Sequence, residues 1–178
     1  MSLFAATLST GIALLLVGGL LLWNGSPVAG AVRSSLRSTP VTLLVMGGAS
    51  AWFLYEVANL GESDFGSYRK PLFLFFLAVA VLSFFYVRDF LAVRGASIIT
   101  LLVAKIYLDA AFMEDPASRL FMVGFVYLCI AAALYLGTLP YRARDFLDWL
   151  LSRASRTRGL GTLLAAYGML LCGIAYSY

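Results

Sequence analysis

Six long apolar runs occupy most of this 178-residue sequence, and they limit the possible fold more than any other feature. Each run reaches or approaches the roughly 20 residues that an α-helix needs to cross the hydrocarbon core of a bilayer. In chain order the runs cover residues 3–23, 41–58, 71–87, 96–113, 120–139 and 160–176. The sequence therefore predicts one domain, residues 1–178, with an all-α fold: a polytopic integral membrane bundle of six transmembrane helices.

The composition supports a membrane protein and narrows the chemistry it can perform. Apolar residues make up 62% of the chain and charged residues 12%, whereas a soluble domain is about half apolar and a quarter charged. The chain contains no histidine, which excludes His-ligated haem, most zinc sites and hydrolases that use imidazole as the base. Both cysteines, Cys129 and Cys172, fall inside apolar runs. We expect no enzyme activity, no metal and no cofactor.

The distribution of basic residues predicts the orientation of the bundle. The odd-numbered loops between the runs contain nine, namely Arg33, Arg37, Arg88, Arg94, Arg142, Arg144, Arg153, Arg156 and Arg158. The even-numbered loops contain three, namely Arg69, Lys70 and Arg119. Because short loops rich in Lys and Arg stay in the cytoplasm, we expect both termini outside the cytoplasm, in a bacterial inner membrane. The net charge of +4 then marks cytoplasmic loops, and no nucleic-acid partner is expected.

A short motif occurs twice in the cytoplasmic loops. The tetrapeptide Arg-Asp-Phe-Leu begins with Arg88 and Asp89, and recurs 56 residues later with Arg144 and Asp145. One interpretation is a set of repeated two-helix units, as in some transporters. The other is coincidence, because many short cytoplasmic loops combine arginine with a few apolar anchors.

The last loop is longer than a turn between two helices requires. From about residue 143 to 156 its apolar residues recur at helical spacing on one face, namely Phe146, Leu147, Leu150, Leu151 and Ala154. The polar residues of this segment fall on other faces, namely Arg144, Asp145, Asp148, Ser152 and Arg156. The pattern predicts a short amphipathic helix that lies on the inner membrane surface. A partner protein could bind to the same apolar face.

Three charged residues lie inside the apolar runs, namely Glu56, Lys105 and Asp109. Such residues are costly in lipid and commonly mark functional sites. Lys105 lies ten residues beyond Gly95, about 15 Å deep at 1.5 Å per residue, too far from the surface to reach it easily. We expect its side chain to point into the bundle and pair with Asp109, one turn away, or with Glu56. The charges then form either a polar route or a structural ion pair.

Small residues at four-residue spacings predict close contacts between helices. They are Gly47, Gly48 and Ala51 in the second run, Ala133 and Gly137 in the fifth, and Gly161 and Ala165 in the sixth.

Two classes of function fit these features. In the first, the protein is a transporter or channel component, and Glu56, Lys105 and Asp109 contribute to a route for an ion or small solute. In the second, it is an accessory or scaffolding membrane protein that docks a partner or lipid through its cytoplasmic loops. The expected partners are membrane lipids, together with a second copy of the chain or another membrane protein.

Reporter fusions test the predicted topology. A fusion at Ser152 should report a cytoplasmic location and a fusion at Asp64 an external one, because nine basic residues lie on the first side and three on the second. The opposite pair of signals, or an odd number of membrane crossings, would contradict this orientation.

Overall fold

The computed structural model describes residues 1–23, 38–61, 65–86 and 91–178. These residues form seven α-helices and one short 3-10 turn, Gly66–Tyr68, and contain no β-strand. The helices are α1 (Leu3–Trp23), α2 (Thr39–Ala58), α3 (Arg69–Tyr86), α4 (Leu91–Ala111), α5 (Arg119–Thr138), α6 (Tyr141–Leu151) and α7 (Ala154–Ala175). All except α6 are long and apolar enough to cross a membrane. The predicted all-helical fold with six helices of spanning length is confirmed.

Two helices begin at least five residues earlier than their apolar runs predict. Helix α4 begins at Leu91 where the run begins at residue 96, and α7 begins at Ala154 where the run begins at residue 160. Both early segments contain arginine, which has a good helix propensity. The apolar runs mark the part of a helix suited to the hydrocarbon core, whereas the hydrogen-bonded helix continues into its charged first turns.

Helices α1 and α7 form the most extensive contact, and glycines lie at its centre. Gly11 and Gly18 on α1 face Gly168 and Gly161 on α7, in antiparallel order. A Cβ atom at Gly18 would lie 2.8 Å from the carbonyl oxygen of Gly161, and one at Gly168 would lie 2.8 Å from that of Gly11. Because two residues seven positions apart share one face of a packed helix, each pair allows the two backbones to approach closely.

Helix α4 contacts three other helices of the bundle. It packs against α5 on one side and α2 on another, with a smaller contact to α1. At Gly95 the backbone of α2 is so close that an added Cβ would lie 2.9 Å from Met46 Cα. The buried core cluster draws on α1, α4, α5 and α7, and comprises Leu3, Ala6, Leu14, Ala104, Ala110, Ala111, Met122, Val126 and Leu171.

Helices α2 and α3 lie at the periphery. Helix α3 packs mainly against α2 and has no buried residue. The predicted packing role of Gly47 and Gly48 is wrong, because an added Cβ at either would have no neighbour within 4 Å. Helix α2 instead directs Met46, Ala49 and Val57 inward, and these lie on a different face of the helix.

Substitution at the α1–α7 contact should destabilise the bundle. In Gly18→Ala the new methyl group meets backbone atoms of α7 at 2.8 Å, so we expect a loss of about 1–3 kcal/mol in unfolding free energy, as for other overpacked sites. Gly19→Ala is the matched control, since its Cβ meets nothing within 4 Å and the gain in helix propensity is the same. Thermal unfolding in detergent measures both, and equal midpoints would contradict the contact.

Candidate functional site

Within the described residues, helices α2, α3 and α4 enclose a groove. It has a volume of about 380 Å³ and is partly open to the outside of the bundle. Its wall is apolar except for Ser50 on α2, Ser83 on α3 and Lys105 on α4. A cavity with an apolar wall and few polar groups is typical of small-molecule sites.

Helical periodicity explains which residues of α4 line the groove. Ile98, Leu101, Leu102 and Lys105 contribute to its wall, and spacings of three and four residues place them on one face of the helix. Continued by one turn, the same face reaches Asp109. The groove therefore follows a single stripe of α4 that is apolar at first and charged toward the C-terminal end of the helix.

Lys105 forms an ion pair with Glu56 across the α2–α4 contact. Its Nζ atom donates a hydrogen bond to Glu56 Oε2 at 3.1 Å, and Trp52 Nε1 donates to Glu56 Oε1 at 3.4 Å. The Lys105 side chain is 61% exposed and that of Glu56 36% exposed. Lys105 thus lies at the edge of the groove, and the expectation that it points into the bundle interior is wrong.

Lys105 lies closer to the C-terminal end of α4 than to its start. Helix α4 ends at Ala111, so Lys105 lies six residues before its end, about 9 Å along the axis. Glu56 lies two residues before the end of α2 at Ala58, a distance of about 3 Å. The pair therefore lies toward one end of the helices, where a flexible lysine side chain can direct its ammonium outward.

Asp109 is not the partner of Lys105. Its side chain is exposed, and it forms no salt bridge within the described part of the chain. Sequence spacing makes it a neighbour of Lys105, but Lys followed by Asp at i+4 is the less favourable order. Glu56 is the better-placed acceptor because α2 packs directly against α4.

The interior of the bundle contains hydroxyl groups but no buried charged residue among the described ranges. The buried polar residues are Thr7, Thr10, Ser97 and Thr157. Two of them bond to the carbonyl of the preceding turn: Thr10 Oγ1 donates to Ala6 O at 2.8 Å and Ser97 Oγ to Val93 O at 3.0 Å. Thr7 instead bonds to the Tyr178 hydroxyl at 3.2 Å, and Thr157 bonds to a carbonyl of α6. The described hydrogen bonds join none of these four hydroxyls to another.

The connection between α6 and α7 is fixed by two side chains of α7. Arg153 has extended backbone angles, φ −137° and ψ 125°, which separate the two helices. Arg156 Nη1 donates to the carbonyl oxygen of Trp149 at 2.9 Å, and its guanidinium lies 4.5 Å from the Trp149 ring centroid. Thr157 Oγ1 donates to the carbonyl oxygen of Leu150 at 3.1 Å. Carbonyls at a helix end need such partners.

The predicted amphipathic helix is present, with different bounds. It was expected over about residues 143–156, whereas α6 covers Tyr141–Leu151 and Arg156 belongs to α7. Ala143 and Leu150 are buried. Phe146 and Trp149 stack with ring centroids 6.1 Å apart and remain 50% and 53% exposed.

The repeated loop motif is only partly described. Arg144 and Asp145 lie in α6, where an Arg144 nitrogen approaches Asp145 Oδ1 to 3.3 Å on an exposed surface. Arg88 and Asp89 lie outside the described residues. The equivalence of the two hairpins therefore stays a prediction.

No protein family, curated protein or solved structure matches this chain.

Sequence reasoning found the charged residues of the groove and missed the groove. A spacing of three and four residues that connects Ile98 to Lys105 was available in the sequence. It could not show that α3 and α4 would line a cavity together with α2. The sequence analysis did not predict the contact of Arg156 with Trp149. Their separation of seven residues is the one feature of the sequence that could have suggested it.

Removal of the Glu56 carboxylate should destabilise the protein more than removal of the Asp109 carboxylate. Glu56→Gln removes the negative charge that lies 3.1 Å from the Lys105 ammonium. We expect a loss of about 0.6 kcal/mol, the average for polar contacts between membrane helices. Asp109→Asn should change the unfolding free energy by less. A larger effect of Asp109→Asn, measured by denaturant unfolding in micelles, would show that the Lys105 charge depends on Asp109.

Proposed function

We propose that this protein is an accessory or scaffolding membrane protein that contacts the cytoplasmic membrane surface through α6. The observation that carries the proposal is the exposed, stacked pair Phe146–Trp149 on a short helix surrounded by arginines. We further propose a bacterial inner-membrane location with both termini outside the cytoplasm, on the distribution of basic residues among the loops. This orientation puts α6 on the cytoplasmic side, where anionic lipid headgroups attract arginine.

The chemistry of α6 and its flanks fits a membrane surface. Arg142, Arg144 and Arg153 lie on α6 or next to it, and each basic residue near an anionic leaflet contributes about 1 kcal/mol. Tryptophan is enriched at the boundary between hydrocarbon and water. Arg156 contacts Trp149 through the hydrogen bond and ring contact described above. These contacts hold the aromatic pair in a fixed position at the connection between α6 and α7.

The apolar interior also supports an accessory role. Within the described ranges, the buried core contains no charged side chain, and Lys105 lies at a groove on the periphery. A route for an ion needs polar groups at intervals through the hydrocarbon depth. Within the described ranges, the buried polar residues are the four hydroxyl residues Thr7, Thr10, Ser97 and Thr157, and no charged residue is buried with them.

The groove favours a second candidate, a transporter or channel component. Its cavity reaches Lys105 and opens at the outside of the bundle, where a second copy or another membrane protein could complete a route. In this case Lys105→Met should abolish transport while the protein remains folded. Under the accessory role the same substitution leaves the function of α6 unchanged.

Fluorescence of Trp149 tests the surface contact. The chain has three tryptophans, so Trp23→Phe with Trp52→Phe leaves Trp149 as the only indole. In vesicles of phosphatidylcholine and phosphatidylglycerol we expect blue-shifted emission and quenching by brominated lipid, because an interfacial indole contacts acyl chains.

A charge-reduced variant, Arg142→Gln with Arg153→Gln, serves as the comparison. It should weaken the lipid quenching in vesicles that contain phosphatidylglycerol and change it little in pure phosphatidylcholine. Emission typical of an indole in water, without quenching by lipid, would contradict the proposed membrane contact and favour a protein partner at this face.

A further inference from the structure

We propose that the groove among α2, α3 and α4 binds one acyl chain of a zwitterionic phospholipid, whose headgroup lies against Lys105 and Glu56. This site lies on other helices than α6 and does not depend on the function proposed above. Its occupant would come from the bilayer that surrounds the helices.

The shape of the groove suits an acyl chain. The cavity of about 380 Å³ lies within the usual range for ligand sites and is partly open to the exterior of the bundle. Facing helices contribute aromatic and aliphatic side chains, including Phe53, Phe76 and Leu102. A hydrocarbon chain from the surrounding lipid can enter through the opening without the transfer of a polar group into the cavity.

The ion pair at the edge of the groove has capacity for a headgroup. A lysine ammonium has three donors, and the described contacts use one of them, toward Glu56 Oε2. Its 61% exposed side chain leaves the remaining donors accessible to a phosphate. Lys105 also contributes to the wall of the cavity, so a lipid whose chain fills the groove would bring its phosphate close to this ammonium.

The charges around Lys105 favour a zwitterionic headgroup over an anionic one. Glu56 contacts Lys105 directly, and Asp109 follows one turn later on the same face of α4. Two carboxylates next to one ammonium would repel a headgroup that carries only negative charge. The same carboxylates complement a zwitterionic headgroup, whose phosphate can bind Lys105 while its ammonium extends toward Glu56 and Asp109. The Trp52 indole next to Glu56 offers an aromatic surface for the same ammonium.

Two further cations lie at this end of the bundle. Arg69 and Lys70 line a separate recess with Ala58, Phe73 and Leu74, and Arg69 donates a hydrogen bond to the carbonyl oxygen of Leu60. They are the groups that could attract an anionic lipid. The experiment therefore compares both headgroups directly.

Lipid titration of the delipidated full chain in micelles, followed by native mass spectrometry, tests the proposal. The probes are phosphatidylethanolamine and phosphatidylglycerol with identical palmitoyl and oleoyl chains. We expect the first to bind about tenfold more tightly, and Lys105→Met to weaken its binding by about tenfold, the scale of one hydrogen bond to a charged group. Glu56→Gln should reduce the preference between the two lipids.

Replacement of either of two alanines on α3 by phenylalanine tests the position of the acyl chain. Ala80 lines the cavity, so Ala80→Phe should fill part of it and lower binding of phosphatidylethanolamine at least as much as Lys105→Met does. Ala78 is exposed on α3 and does not line the groove, so Ala78→Phe should bind lipid like the wild type. These two variants keep the test informative even if Glu56→Gln does not fold.

Three results would overturn the proposal. Equal or tighter binding of phosphatidylglycerol would show that the cations dominate the recognition. Unchanged binding in Ala80→Phe would place the lipid elsewhere, and an equal loss in Ala78→Phe would show that the groove has no special role.

Discussion

Close approach between helix backbones is the constraint on which this bundle depends. In a bilayer, apolar side chains gain little by leaving lipid for protein, so close packing decides which helices associate. The antiparallel contact between α1 and α7 meets this requirement through Gly11, Gly18, Gly161 and Gly168. Because α1 begins at Leu3 and α7 ends at Ala175, this contact joins the two ends of the chain.

The groove arises because α3 makes no close backbone contact of the kind seen between α1 and α7. Helix α3 is rich in phenylalanine, leucine and valine and contains no glycine, and it has no buried residue. Its bulky side chains keep it on the outer side of α2, and the space among α2, α3 and α4 is left as a cavity. The same physical rule thus explains the compact part of the bundle and the open part in which the lipid site is proposed.

Buried hydroxyl groups and charged side chains occupy different parts of the described structure. Buried hydroxyls such as those of Thr10 and Ser97 bond to carbonyls of their own helices, which removes their cost in an apolar interior. Among the described charged residues, Lys105 and Glu56 lie at the groove edge, and Arg156 lies in the first turn of α7. This separation is consistent with lipid contacts at the periphery and at the α6 surface, the two places where we propose function.

The sequence by itself determined the number, type and approximate extent of the spanning helices, because apolar run length is set by the membrane and helix formation by local hydrogen bonds. It also identified Lys105 and Glu56 as unusual. Only the tertiary structure decided that these two residues pair, because the choice of Glu56 over the local neighbour Asp109 depends on how α2 and α4 pack. Tertiary structure also decided that Gly18 lies at a helix contact and Gly47 does not. Small residues permit close contact on any face of a helix, and the arrangement of the helices determines which face is used.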